Sequence, residues 1–166
     1  MELLSRPLGH CSKSICFSNK TSLEELQSFF ESQSIPFQPL LDTQAIGLAS
    51  ADETYFADGC FNPDQMLDTL LEYYRESQKM GFSAARLVGE MSPKINSIPG
   101  GERLVEYESR VNDVFKARKL TSVCQYNANE FDGATIMDIL KVHPKVIVNG
   151  SVVNNPFYTY SESSNS

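Results

Sequence analysis

The sequence is short of positive charge. It has 14 lysines and arginines against 21 aspartates and glutamates, which gives a formal net charge of −7 at pH 7. A nucleic-acid surface needs a concentrated lysine and arginine footprint to contact the phosphates. We therefore expect no direct nucleic-acid binding by this chain.

Long apolar runs and short metal-binding spacings are also missing. No apolar stretch approaches the ~18 residues needed to cross a bilayer, and the N-terminus is too polar for a secretion signal. These absences predict no membrane partner and, by default, a cytoplasmic location. The four cysteines form no Cys-x-x-Cys pair and the two histidines are far apart, so the spacing predicts neither a metal site nor a cofactor.

The sequence does contain an alternation of apolar, strand-like runs with amphipathic helices. The strand candidates are residues 13–18, 45–50, 84–91 and 121–126. Helices between them begin at signals such as Asn62 followed by Pro63. Asn149-Gly150, between two apolar runs, predicts a C-terminal hairpin. The pattern predicts one α/β domain with a mainly parallel sheet flanked by helices and an antiparallel hairpin at the end.

Glu90 is the first candidate site residue, because it ends the strand over 84–91. Ligands of open α/β sheets bind beyond the carboxyl ends of the strands. Gln125 ends the next strand and lies near Glu90 if the two strands are neighbours. Three interpretations of Glu90 remain open: an exposed loop residue, an ion pair with Arg103 or Arg110, or a ligand contact.

Glu108 is the second candidate, because it falls on the apolar stripe of a helix predicted over 102–117. A buried carboxylate must be paired or neutralised. The expected partners are a backbone donor or one of three arginines, namely Arg86, Arg103 and Arg110. An alternative is that Glu108 supports Glu90 or a neighbouring loop.

Motifs for catalysis or phosphate binding are weak. Gly100-Gly101 could present backbone amides to an anion, but the lysine and hydroxyl of a phosphate loop do not follow it. A helix start or hinge is favoured there. His143 is expected to contact the last carbonyls of its helix, and Cys124 to be buried and inert. No nucleophile motif is present, so we expect no enzyme activity.

Five motifs in register resemble the MEDS family, the methanogen/methylotroph DcmR-type sensory domains. They are ADETYFADGCFNPDQML, LVGEMS, PGGERLVEYESRVN, SVCQYN and VHPKVIVNGSVVNNPFY. The resemblance implies a RecA/KaiC-like fold with a degenerate phosphate loop. It also implies a non-enzymatic sensor of small hydrocarbon-derived molecules that signals through partner proteins in transcriptional or two-component regulation.

The resemblance also implies which residues form the site. The GEM, YE and CQY motifs contribute Glu90 and Met91, Tyr107 and Glu108, and Gln125 and Tyr126, respectively. The strand-end rule adds positions that follow apolar runs. The predicted ligand-binding set is Glu53, Glu90, Met91, Ser92, Gln125 and Tyr126, and the predicted structural support is Tyr107, Glu108 and Arg110.

The start of the chain departs from the family pattern. Family members usually have a strand and a helix before the strand that residues 13–18 resemble. We therefore expect residues 1–12 to be an N-terminal extension, 13–158 the sensory domain without that first unit, and 159–166 a disordered tail. A vacant strand position could pair with a homodimer partner or a signalling protein. The alternative functions are a degenerate KaiC-like nucleotide-binding module and a protein-interaction scaffold.

Overall fold

The computed structural model describes residues 12–159. Except for their inner end residues, the predicted extension over 1–12 and the predicted disordered tail over 159–166 lie outside the described residues, and Ser12 is the first residue of β1. The strands are β1 Ser12–Phe17, β2 Ile46–Ala49, β3 Ala84–Glu90, β4 Leu120–Gln125, β5 Lys145–Val148 and β6 Ser151–Asn154. The α-helices are α1 Leu23–Ser32, α2 Gln38–Asp42, α3 Ala51–Tyr55, α4 Pro63–Lys79, α5 Leu104–Lys116 and α6 Gly133–Val142. Two 3-10 turns, Pro93–Ser97 and Gly101–Arg103, connect β3 to α5.

The first four strands form one parallel sheet in the order β2-β1-β3-β4. Parallel strands need crossover connections, and the helices supply them. The carboxyl ends of β1, β3 and β4 therefore meet at one edge of the sheet. The predicted α/β class and the parallel sheet are confirmed.

Side chains alternate between two cores, one on each face of the sheet. On one face, Cys16 and Val88 pack with Leu26 and Phe30 of α1. On the other face, alternate strand residues pack with apolar stripes of the later helices, a cluster that includes Phe17, Leu87, Met66, Leu67, Leu70, Tyr107, Val111 and Ile139. Burying each large apolar side chain contributes roughly 1.5–3 kcal/mol, so both faces hold the sheet in place.

Two short helices are absent from the sequence prediction. Ala51–Tyr55, in a stretch rich in polar residues, forms α3, whose first turn is capped by the Ser50 hydroxyl. Gln38–Asp42 forms α2 with Pro39 in its first turn, where proline lacks only an amide that would have no helical partner. None of the described helices has the length and apolarity needed to cross a membrane.

The C-terminal hairpin is confirmed. Asn149 and Gly150 have φ values of 48° and 76°, which suits the tight turn that joins two antiparallel strands. The Asn155 side chain ties the hairpin to the end of α6 by donating to the carbonyls of Leu140 and His143, at 2.7 Å each. The hairpin leaves large apolar side chains exposed, namely Ile147, Val148, Val152 and Val153.

Candidate functional site

A polar group lies at the carboxyl edge of the sheet, which we call the strand-end group: Ser18, Lys20, Glu90 and Glu130. The Glu90 side chain is only 18% exposed. The Ser18 hydroxyl donates to its Oε2 at 2.7 Å, and the Lys20 ammonium lies 3.2 Å from its Oε1. Lys20 also contacts Glu130 at 3.0 Å, so one cation joins the loop after β1 to the loop after β4.

The chain after β1 folds to create this group. Ser18 follows the last residue of β1, and its hydroxyl oxygen accepts from the backbone amides of Lys20 and Thr21, at 3.1 and 3.0 Å. These bonds form a compact turn that fixes the hydroxyl beneath Glu90 and directs the Lys20 side chain across the strand ends. Hydrogen bonding to Glu130 and Glu90 raises the pKa of Lys20, so its charge persists at neutral pH.

The ion pair expected for Glu90 was assigned to the wrong cations. Arg103 and Arg110 instead contact carboxylates on the outer surface of α4 and α5. Arg110 lies 2.7 Å from Asp64 and 3.0 Å from Glu106, and Arg103 lies 2.8 Å from Glu106. The predicted supporting residue Arg110 therefore joins two helices, while Lys20, which the sequence prediction omitted, pairs with Glu90.

Gln125 is the predicted ligand residue that lies beside Glu90. The two are register partners in β3 and β4, and the Gln125 side chain is exposed. Met91 is 3% exposed and belongs to the apolar core, while its amide donates to the Gln125 carbonyl at 2.9 Å. Ser92 caps the first 3-10 turn by accepting from the Lys94 amide. The structure therefore brings Glu90 and Gln125 together and directs Met91 inward.

A second polar group lies at the same edge, around Asp52 rather than the predicted Glu53. Glu53 is exposed in the first turn of α3. The Asn19 amide donates to Asp52 at 2.6 Å, and Lys94 lies 3.5 Å from the same carboxylate. The polar residues directly after β1 were a sequence signal for this group, because the strand-end rule includes Asn19.

Glu108 lies in a buried cluster that the sequence spacing did not reveal. Its side chain is 1% exposed. The Tyr126 hydroxyl donates to Oε1, the Cys124 thiol lies 3.2 Å from Oε2, and His143 Nε2 lies 3.4 Å from the same oxygen. His143 Nδ1 contacts the Ile139 carbonyl at 2.8 Å, as expected for a residue that ends its helix. The partners of Glu108 therefore include a thiol, a phenol and an imidazole, while two of the predicted arginines, Arg103 and Arg110, pair with surface carboxylates instead.

Burial and the Glu108 carboxylate perturb the groups around it. Burial, followed by the charge of Glu108, raises the pKa values of the Cys124 thiol and the Tyr126 phenol well above their usual ranges. Burial opposes the charge on His143, but the hydrogen bond and charge of Glu108 outweigh it and raise the imidazole pKa. The free Cys124 thiol is therefore a poor nucleophile at neutral pH.

The strand-end group and the buried cluster around Glu108 lie on opposite faces of the sheet. Gly89 is the register partner of Cys124, and Glu90 is the register partner of Gln125. Because consecutive strand residues point to opposite faces, Cys124 faces α5 while Glu90 faces the side that carries α1. Tyr107, predicted as support, is buried on the α5 side, where its ring packs edge-to-face against the ring of Tyr55. Glu108 therefore does not support Glu90 directly.

Comparison with known proteins identifies the family. The family model described as "MEDS: MEthanogen/methylotroph, DcmR Sensory domain" matches residues 2–144. The transcriptional repressor DcmR of Methylorubrum extorquens is 32% identical over 83 residues, which is 49% of this chain and 31% of the repressor. The aligned region therefore spans about a third of that relative's length. With most of its length matched by the family model, this chain belongs to the MEDS family of sensory domains.

Proposed function

We propose that this domain binds a small organic molecule at the strand-end group and signals its presence to a partner protein. Membership of a sensory family and similarity to a transcriptional repressor support a regulatory role. The observation that carries the proposal is the Glu90 carboxylate, which is mostly withdrawn from solvent at the ligand-binding edge of the sheet yet relies on an exposed lysine for its charge partner.

The Lys20 contact is the replaceable part of the strand-end group. The Lys20 side chain is 55% exposed, whereas the Glu90 side chain is 18% exposed. Exposed ion pairs contribute little to stability, so a ligand that brings its own donor can displace the ammonium at little cost. The Ser18 hydroxyl remains on the other carboxylate oxygen. This chemistry favours small amines and alcohols, which are hydrocarbon derivatives with a single polar head.

Displacement of Lys20 also provides a route for the signal. Lys20 lies in the loop after β1, and its other carboxylate partner, Glu130, lies in the loop between β4 and α6. A ligand that occupies Glu90 releases a cation that connects these two loops. The loops then gain freedom at the surface where a partner chain can contact them, which couples binding to a change in the interaction surface.

Thermal denaturation with a ligand panel tests the proposal. The panel contains methylated amines and short alcohols, together with halogenated methanes, which have no N–H or O–H donor, for comparison. A true ligand raises the melting temperature, since saturation at 100 times the Kd adds about 2.7 kcal/mol to the free energy of unfolding. Glu90→Gln should abolish the response, while Glu102→Gln, an exposed carboxylate on the second 3-10 turn, should retain it. A response that survives Glu90→Gln, or its absence for every compound, refutes the proposal.

Nucleotide binding is less well supported. Gly100 and Gly101 are explained by close packing, because a Cβ on either residue would collide with the backbone carbonyl of Phe61 or Ile95. The glycine pair therefore serves the entry into α5, as the hinge-or-helix-start interpretation anticipated. Calorimetry with ATP at millimolar concentration tests this alternative. Heat of ATP binding that is present in the wild type and lost in Glu90→Gln would favour a nucleotide over an organic molecule as the ligand of Glu90.

A protein-interaction module is a second candidate function, favoured by the exposed hairpin. Ile147, Val148, Val152 and Val153 are each at least 40% exposed. Apolar side chains on a two-stranded sheet commonly become buried against another chain. Light scattering over a concentration series tests homodimer formation, which Val152→Lys should abolish. A concentration-independent monomer in both proteins argues against self-association.

A further inference from the structure

The buried cluster around Glu108 has the composition of a transition-metal site. Glu108, Cys124 and His143 each direct one ligand atom into the same volume, and all three atoms lie within 4.8 Å of one another. They come from three different elements: the middle of α5, the end of β4 and the residue that ends α6. The packing of these elements, rather than a short sequence motif, creates the cluster.

The separations match those around a bound ion. Tetrahedral zinc with nitrogen and oxygen ligands at roughly 2.1 Å places them about 3.4 Å apart, and a thiolate at roughly 2.3 Å lies about 3.6 Å from an oxygen ligand. The observed distances are 3.4 Å from His143 Nε2 to Glu108 Oε2 and 3.2 Å from Cys124 Sγ to the same oxygen. These two separations differ from the tetrahedral values by a few tenths of an ångström at most, and the third, from Cys124 Sγ to His143 Nε2, is no more than 4.8 Å.

The orientation of His143 suits a metal ligand. Nδ1 faces the Ile139 carbonyl at 2.8 Å, and a carbonyl can only accept, so Nδ1 carries the hydrogen. In the neutral imidazole, Nε2 then presents a lone pair to a carboxylate oxygen. Two acceptors in that position require either a proton or a metal ion between them. Donation from the second ring nitrogen to a carbonyl is also the usual support of a metal-binding histidine.

The cluster also has the surroundings that a metal site needs. The Tyr126 hydroxyl donates to the other oxygen of Glu108, which fixes the carboxylate plane. The Glu108 side chain is almost wholly buried, whereas the His143 side chain is 21% exposed and marks the side from which an ion can enter. A cation would also reverse the local electrostatics, because a coordinated thiol is deprotonated outright.

We propose that Glu108, Cys124 and His143 bind one divalent transition-metal ion of the zinc class. Glu108 contributes a carboxylate oxygen, His143 contributes Nε2, and Cys124 binds as a thiolate after its proton passes to solvent. Three protein ligands leave a fourth position open to water or a small molecule. A thiolate and an imidazole favour zinc, cobalt or copper over magnesium or calcium. This inference is independent of ligand binding at Glu90, which lies on the opposite face of the sheet.

Cobalt titration tests the site directly. The full chain, stripped with a chelator and kept reduced, is titrated with Co²⁺ and followed by absorption spectroscopy. We expect one ion per chain, visible bands of tetrahedral cobalt, a thiolate-to-cobalt charge-transfer band, and loss of these signals when Zn²⁺ is added. Zinc should also raise the melting temperature of the stripped protein.

Matched variants assign the signal to the cluster. Cys124→Ser should remove the charge-transfer band, while Cys60→Ser, which changes a half-buried thiol outside the cluster, should leave it unchanged. His143→Gln should weaken cobalt binding by about tenfold or more. Failure of the wild-type chain to bind Co²⁺ or Zn²⁺ at one equivalent overturns the proposal whether or not the variants fold, and so does a charge-transfer band that survives Cys124→Ser.

Discussion

Gly89→Ala should destabilise this domain, and removal of a single hydroxyl should relieve the effect. A Cβ on Gly89 would lie closer than 3.0 Å to the Tyr55 hydroxyl oxygen. Tyr55 cannot retreat easily, because its ring contacts those of Phe17, Phe56 and Tyr107 at centroid distances of 6.2 to 6.4 Å. The glycine of the LVGEM stretch is therefore required by the packing of Tyr55.

Two opposing terms set the size of the effect. Alanine in a strand is favoured over glycine by about 0.5–1 kcal/mol when nothing obstructs it. Overpacking a filled core costs about 1–3 kcal/mol, and Tyr55 is 7% exposed, so the clash should dominate. In a Tyr55→Phe background the closest remaining atom is Cζ at 3.5 Å, an ordinary contact. There, Gly89→Ala should be neutral or stabilising.

Urea denaturation of four proteins measures this coupling. The wild type, Gly89→Ala, Tyr55→Phe and the double variant form a mutant cycle, in which we expect an interaction energy of about 1 kcal/mol or more. Tyr55→Phe alone should cost about 1 kcal/mol, because a buried hydroxyl is removed from the polar surroundings of Tyr107. Gly47→Ala is the control, since the nearest Ile15 atoms lie 3.8 and 3.9 Å from its added Cβ. An equal cost of Gly89→Ala in both backgrounds would refute the steric argument.

Three further predictions concern the connections that hold the elements in place. Asn62→Ala should lower the free energy of unfolding by about 1 kcal/mol in urea denaturation, because the Asn62 side chain accepts from the first amides of α4. Asn155→Ala should cost about 1–3 kcal/mol in the same assay, because two carbonyls near the end of α6 lose their donor. Asp132→Ala should lower the melting temperature at pH 7. Bonds from the Thr135 amide and hydroxyl lower the pKa of Asp132, so its contribution is present above the unfolded pKa of about 3.9 and the deficit should shrink as the pH falls through the lower folded value.

The sheet and part of the strand-end group were predictable because they depend on local patterns. Apolar runs located the strands, and the alternation with helices indicated parallel pairing. The strand-end rule then placed Glu90 near Gln125, and the two are register partners. A rule based on sequence order succeeds here because the carboxyl ends of neighbouring parallel strands must meet at one edge.

The partners of Glu90 and Glu108 could not be predicted from local sequence patterns. Arg103 and Arg110 were predicted as possible partners of Glu90, but Arg103 immediately precedes α5 and Arg110 lies on it, and each pairs with Glu106, three or four residues away. Lys20 reaches Glu90 only through the turn that Ser18 stabilises. Pairing of side chains depends on the face that each presents, which composition and periodicity leave undetermined.

The change of face between Gly89 and Glu90 separates the two proposed sites. Gly89 pairs with Cys124 on the side of α5, and Glu90 pairs with Gln125 on the side that carries α1. Successive side chains of a strand point to opposite faces of the sheet, so a carboxylate one position earlier would face Tyr55 and the buried cluster instead. Glu90→Gln therefore leaves the Cys124 environment intact, and Cys124→Ser leaves the Lys20 bridge intact. Loss of an organic-ligand response and loss of metal binding should consequently appear in different variants, and joint loss in one of them would contradict this division of the sheet.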